Sequence, residues 1–268
     1  MAAPAPALAP DLVQGLRRLK LATMRAMAPE LLVVAKTQRW SPEEFLRTLV
    51  EAEIASREAS NARARLKAAA FPVTKTVEDF DVATSSISRA TFDYLASLEW
   101  VRARENPVMI GPAGTGKSHV LVAIGHAAVD AGYRVRYFSA AELVETLYRG
   151  MADNSVGRVI ESILRADAVL VDELGFAPLD HTGAQLLFRF VAAAYERRAL
   201  GVASHWPFEE WGRFLPEHTT AVSLLDRLLH HSIVVVTRGE SFRMRESKVH
   251  RSGKTLVEPK EVVAASET

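Results

Sequence analysis

A chain of 268 residues with 49% hydrophobic and 24% charged residues has the size and balance of one large α/β domain with a smaller appendage. Cysteine is absent, which excludes disulfides, thiol catalysis and cysteine-ligated zinc. No apolar run reaches the roughly 18 residues of a membrane span, so a cytoplasmic protein with no membrane partner is expected.

The formal net charge of +1 conceals an uneven distribution, with 12 Lys/Arg against 7 Asp/Glu in residues 1–75 and 21 against 25 in the remainder. A basic front segment suits an anionic partner, but basic residues on solvated helix faces would give the same count. The eight histidines show no metal-ligand spacing. His230 and His231 are neighbours, and adjacent helix positions do not face one site.

The opening MAAPAPALAPDL lacks the basic and apolar regions of a signal peptide, and residues 1–11 read as a disordered tip. Residues 12–70 read as helical throughout, a small N-terminal domain. Ser41 is the predicted N-cap of its last helix, with Pro42 at the first helical position and Glu44 three residues after the cap. Phe45, Leu46, Leu49, Val50 and Ile54 then recur at helical spacing and form one apolar stripe. The basic run NARARLKAAAF ends before Phe71-Pro72, where a helix must break. Residues 71–86 are polar and without periodicity, a linker.

The main domain is predicted over 87–248. A helix over RATFDYLASLEWVRARE precedes an alternation of strands and helices: strand NPVMI, helix KSHVLVAIGHAAVDA, strand YRVRYFS, helices AAELVETLYRGM and VGRVIESILRA, and the buried strand ADAVLVDE. Helix TGAQLLFRFVAAAYERR, the short strand LGVAS, helix AVSLLDRLLHH and strand SIVVVT complete it. That alternation predicts an α/β class, a five-stranded parallel sheet covered by helices on both faces. Residues 249–268 read as a flexible tail.

Gly111-Pro112-Ala113-Gly114-Thr115-Gly116-Lys117-Ser118 matches the phosphate-binding pattern G-x-x-x-x-G-K-[ST] between a predicted strand and a predicted helix. Glycines let the backbone curl so that successive N–H groups point at phosphate oxygens. The helix N-terminus, at Lys117, Ser118 and His119, adds a partial positive charge. Lys117 would reach the β and γ phosphates of ATP, and the Ser118 hydroxyl would ligate Mg2+. The second element is AVLVDELGF, an apolar strand running into Asp172-Glu173. Asp172 would sit beside the magnesium, and Glu173 would orient and deprotonate the attacking water.

Beyond these two motifs, FPVTKTVEDFD, ENPVMIGPAGTGKSH, HWPFEEWGRF, LLDRLLHH and GESFRMRE resemble the IstB-type transposition helper ATPases, of the DnaC-like branch of the AAA+ superfamily. The resemblance spans about residues 12–247. It implies an AAA+ three-layer α/β/α fold preceded by a small all-helical domain. It also implies an ATPase that assembles as a homo-oligomer on duplex DNA with little sequence preference and assists a partner transposase.

By the same resemblance, Arg227 in LLDRLLHH takes the arginine-finger position, although an Arg after Asp on a helix also reads as a local ion pair. Arg243 in GESFRMRE would sense nucleotide or touch DNA. Where relatives carry a polar sensor amide after the fourth strand, this chain has His205, which can still donate a hydrogen bond. The helices between the second and third strands, with Arg149, Arg158 and Arg165, resemble the DNA-facing insertion of loader ATPases. With Arg57, Arg63, Arg65 and Lys67 they are candidate phosphate-backbone contacts. A DnaC-like helicase loader and a low-turnover, nucleotide-switched scaffold on DNA are the alternative readings.

Overall fold

The computed structural model describes residues 7–216 and 218–242, and the chain divides into two compact units between Ala68 and Ala69. The first is all helical, with α1 (Pro10–Arg18), α2 (Ala22–Gln38) and α3 (Pro42–Ala69). The unit is helical but broken at two turns, where the non-glycine residues Lys20 and Arg39 both take a left-handed backbone, φ 57°; the second break precedes the predicted Ser41 cap, and the first has no sequence signal. The start of α3 is as the sequence predicts, the Glu44 N–H donating to Ser41 Oγ at 3.1 Å.

The apolar stripe of α3 is a different matter. Leu49 is buried, but Leu46, Val50 and Ile54 are exposed, because the stripe is wider than the surface the unit covers. What pins α3 to α2 is polar. Buried Glu53 accepts the Thr23 and Met24 N–H groups at 2.8 and 3.0 Å, free donors in the first turn of α2 that a carboxylate suits. Those bonds, the Met24 N–H foremost, hold the Glu53 carboxyl below its ordinary value.

The second unit carries five parallel strands, β1 (Asn106–Ile110), β2 (Val135–Ser139), β3 (Ala168–Leu174), β4 (Ala199–Ser204) and β5 (Ser232–Val236). Their order is β2-β3-β4-β1-β5. All five strands lie where the sequence puts them; the inner strands β1, β3 and β4 are buried almost throughout, as near-continuous aliphatic runs suit, whereas the edge strands β2 and β5 are partly exposed. The two faces separate along β3: Val169 and Val171 join one core with Leu143, Ile160, Phe190 and Leu224. Ala168 and Leu170 join the other with Phe92, Trp100, Leu121 and Ile124.

The helices are α4 (Arg89–Ala96), α5 (Glu99–Ala103), α6 (Lys117–Asp130), α7 (Ala140–Arg149), α8 (Val156–Ile163), α9 (His181–Ala194) and α10 (His218–Leu229). The single helix expected before β1 is two, because Leu98 is left-handed, φ 61°. Trp100, fully buried, donates its indole N–H to Leu95 O at 2.9 Å and satisfies a carbonyl beside the break. The stretch 71–86 has only one 3-10 turn, Val82–Thr84, yet it belongs to the second unit and packs on it. Phe71 stacks on His126 with ring centroids 4.3 Å apart, and Phe80 on Phe92 at 5.3 Å. Among the described residues no helix is long and apolar enough to cross a membrane.

Candidate nucleotide site

Between the end of β1 and the start of α6 the backbone curls through three left-handed glycines, Gly111, Gly114 and Gly116, with φ 141°, 77° and 96°. A Cβ on Gly111 would lie 2.1 Å from Thr237 O, and one on Gly114 would lie 2.1 Å from Ser241 Oγ. Both positions thus need glycine for approach as well as for conformation. The chain that makes these approaches follows β5. Thr237 N–H donates to Ile110 O at 2.7 Å, and Phe242 N–H donates to Gly114 O at 2.9 Å. The Thr115 and Thr237 hydroxyls are 2.7 Å apart.

Pro112 and Ala113 form the exposed outer turn of the loop, and Ser118 and His119 are half-buried in the first turn of α6. Lys117 is buried and donates to Gly111 O at 2.7 Å and Pro112 O at 2.6 Å. A cavity of about 590 Å³ lies over the loop, bounded by Gly114–His119, by Lys75, Asp79 and Phe80, by Tyr137, Asp172 and Glu173, and by Arg238 and Phe242. That volume falls within the range of small-molecule sites.

The acidic pair ends β3. Asp172 is buried and pairs in register with Ser139 of β2. Its Oδ2 accepts the Tyr137 hydroxyl at 2.9 Å and its Oδ1 accepts the Glu173 N–H at 2.7 Å. The β3–β4 register shifts between Val171 and Leu174, and there Glu173 takes a left-handed backbone, φ 58°, with an exposed side chain. A non-glycine residue in that conformation costs on the order of 1 kcal/mol and is a recurrent feature of functional sites. Burial, then the Asp172 charge, push the Tyr137 hydroxyl well above the ordinary tyrosine range, so it remains a donor.

His205 follows the last residue of β4, half-buried, its ring 4.6 Å from that of Trp206. Burial and the nearby Lys117 charge hold its imidazole below the ordinary value. Burial, then Lys75, do the same for His119, which meets Phe80 edge-on at 5.3 Å. His119 Nε2 is buried with no hydrogen-bond partner among the described residues.

Arg227 folds onto its own helices, its guanidinium 4.9 Å from the Phe188 ring centroid and donating to Ser223 O at 2.9 Å. Among the residues proposed to touch DNA, Arg57 is committed within the first unit, donating to Glu53 at 2.9 Å and to Lys20 O at 2.8 Å. Arg63 and Lys67 are exposed and Arg65 is half-buried. In the second unit Arg149 is exposed and paired with Glu145 at 3.1 Å, and Arg158 and Arg165 are exposed. Arg243 and the tail 249–268 lie outside the described residues.

Sequence reasoning missed Tyr137, Lys75, Asp79 and Phe80. The signal for Tyr137 was its place in a strand beside the one carrying Asp172; the other three stood in a stretch whose polarity read as a spacer.

The phosphate loop after β1, the acidic pair ending β3 and a strand inserted between them define a P-loop protein of the AAA+ class. Residues 14–250 match the family described as IstB-like ATP binding protein, and the chain belongs to that family. It is 34% identical over 234 residues to the Insertion sequence IS21 putative ATP-binding protein of Pseudomonas aeruginosa, covering 87% of this chain and 88% of that one. It is 33% identical to the Insertion sequence IS5376 putative ATP-binding protein of Geobacillus stearothermophilus, covering 87% and 93%.

Among solved structures the fold is similar to a DNA replication initiation factor, with TM-score 0.53 and 21% identity over 68% of this chain and 56% of that one. It is also similar to DnaI, with TM-score 0.53 and 13% identity over 61% and 91%.

Proposed function

We propose that this protein is an ATP-hydrolysing, DNA-binding member of an insertion sequence that assembles on DNA and assists a partner transposase. The observation that carries the reading is the placement on one cavity of Lys117, in the turn after β1, and Glu173, near the end of β3, strands that β4 separates. Residues 111–119 would cradle the triphosphate, with the backbone N–H groups of residues 113–119 as donors because Pro112 has none and the Gly111 N–H donates to Ser204 O, and Lys117 would leave the loop carbonyls for the β and γ phosphates. The hydroxyl of Ser118 and the carboxylate of Asp172 are a hard-oxygen donor set that suits Mg2+, which would neutralise charge on the phosphates. Glu173 would take a proton from the attacking water, and neutral His205 would hydrogen-bond that water or the γ phosphate. Arg227 would act on the nucleotide of the adjoining subunit. Arg63, Lys67, Arg149, Arg158 and Arg165 are the exposed candidates for sequence-independent phosphate contacts. The insertion-sequence relatives support the transposase as partner.

The test is nucleotide binding, turnover and sedimentation, with and without duplex DNA. Lys117→Ala should lose nucleotide, and Glu173→Gln should retain it without turnover. The wild type should form large assemblies with ATP and DNA that dissociate as salt rises. A wild type whose turnover equals that of Glu173→Gln would favour the nucleotide-switched scaffold, a reading that the histidine at position 205 keeps in view. Failure to retain ATP would overturn both.

A further inference from the structure

The histidine pair behaves otherwise than a helical register implies. Helix α10 ends at Leu229, so His230 and His231 lie in the turn before β5 and no longer diverge around a helix axis. Their rings approach to 4.2 Å between centroids. Glu196, in the turn between α9 and β4, faces them, and one ligand atom from each of the three residues lies within 4.8 Å of the others. His231 Nε2 is 3.7 Å from Glu196 Oε1. We propose that Glu196, His230 and His231 form a surface site for a first-row divalent cation, with Zn2+ the ion that the donor set suits.

The three residues are held from beneath. Asn106, buried at the start of β1, donates its N–H to His231 O at 2.7 Å and its side-chain amide to Leu228 O at 2.9 Å. Its side-chain oxygen accepts the Leu200 N–H at 2.9 Å, so one residue ties the α10 turn to β1 and β4. Arg104 donates to Glu196 O at 3.0 Å, and Glu196 holds a left-handed backbone, φ 55°, that turns it out of the chain following α9.

The Tyr195 hydroxyl lies 2.6 Å from His230 Nδ1. With Nδ1–H donating to the phenol oxygen, the lone pair of Nε2 is free for a metal, the arrangement by which outer partners select the tautomer of a ligating histidine. Two imidazoles and one carboxylate, in a chain without cysteine, select zinc or its neighbours over magnesium and calcium. All three residues are exposed, which leaves further coordination positions to water. The strands begin at this end of the parallel sheet, whereas the nucleotide cavity lies where they finish, so the ion would serve as a clip between the ends of α9 and α10 and take no part in phosphate chemistry.

The test uses the full chain with any histidine tag removed, titrated with Zn2+ by calorimetry in excess Mg2+, and with Co2+ followed by its visible absorption. One ion per chain is expected, with a rise in thermal midpoint. The double variant His230→Ala/His231→Ala and the single variant Glu196→Gln should each bind about tenfold more weakly or worse, and Tyr195→Phe should lose about tenfold as a positioning residue. His181→Ala, exposed on α9, should bind as the wild type does. The proposal is overturned if the wild type shows no saturable Zn2+ binding, or if the double variant keeps its affinity. Should the double variant not fold, Glu196→Gln decides alone, and undiminished affinity there overturns the site equally.

Discussion

Tyr137 donates its hydroxyl to Asp172 across the β2–β3 pair at 2.9 Å, which commits one carboxylate oxygen while the Glu173 N–H holds the other at 2.7 Å. The protein itself therefore fixes the orientation of this carboxylate, in part through a residue of the edge strand. Tyr137→Phe keeps the ring and removes the bond. It should lower turnover about tenfold and raise the Mg2+ concentration needed for half-maximal rate, which a magnesium titration of ATP hydrolysis measures. An unchanged magnesium dependence would show that Asp172 needs no such support.

Thr237 is buried and its hydroxyl lies 2.7 Å from Thr115 Oγ1 and 3.1 Å from Ile110 O. Thr237→Val preserves shape and leaves those groups one partner short. The expected cost is about 1–2 kcal/mol in unfolding free energy, read from denaturant midpoints, with weaker nucleotide retention because the phosphate loop loses a brace.

His119 and His205 both have imidazoles held below the ordinary value of 6.5, by burial first and then by Lys75 and Lys117 respectively. Below 6.5 the unfolded chain takes up protons that the folded chain still refuses, so stability falls as pH drops through that value and rises with pH toward neutrality. The loss ends once the folded groups themselves titrate. Carboxyls held low, such as Asp79 and Asp167 with ordinary values of 3.8, lose their contribution only in more acid solution. Thermal midpoints between neutral pH and about pH 5 should fall more steeply for the wild type than for His119→Asn/His205→Asn. Parallel curves would refute the assignment.

Arg227 rests over Phe188, a position from which it would have to extend to reach a neighbouring subunit. Arg227→Ala should lower turnover on the order of 10³-fold while nucleotide binding persists. Mixing it with Lys117→Ala should restore part of the activity, since one chain then supplies the arginine and the other the loop. Mixtures as inactive as their components would argue that Arg227 does not act between subunits.

The strands and the phosphate loop were legible because their signals are local: apolar runs for β1 and β3, and a glycine spacing that serves one conformation. The Ser41 cap was legible for the same reason. What escaped depends on distant partners. Nothing in LASLEW announces a left-handed Leu98, which stands where Trp100 can bond Leu95 O. The polarity of 71–86 concealed Phe71 and Phe80, whose stacking partners lie on α6 and α4. The His230-His231 pair falls at the end of the helical pattern AVSLLDRLLHH, but α10 ends two residues earlier, at Leu229, and the rings come together in the turn. Arg57 has one partner that the sequence offers, Glu53 four residues earlier on α3, and one that it conceals, Lys20 O, which meets Arg57 only when α3 folds back on the α1–α2 turn.

The strand between β1 and β3 has a dimensional consequence. Two inter-strand steps separate the motif-bearing strands, about 10 Å, so the lysine of the loop and the acidic pair enter the cavity from strands that are not neighbours. A ligand that engages both sides must span that offset, as the triphosphate of the proposed nucleotide would. The sheet acts as a caliper, and its jaw width is set by a strand that carries neither motif.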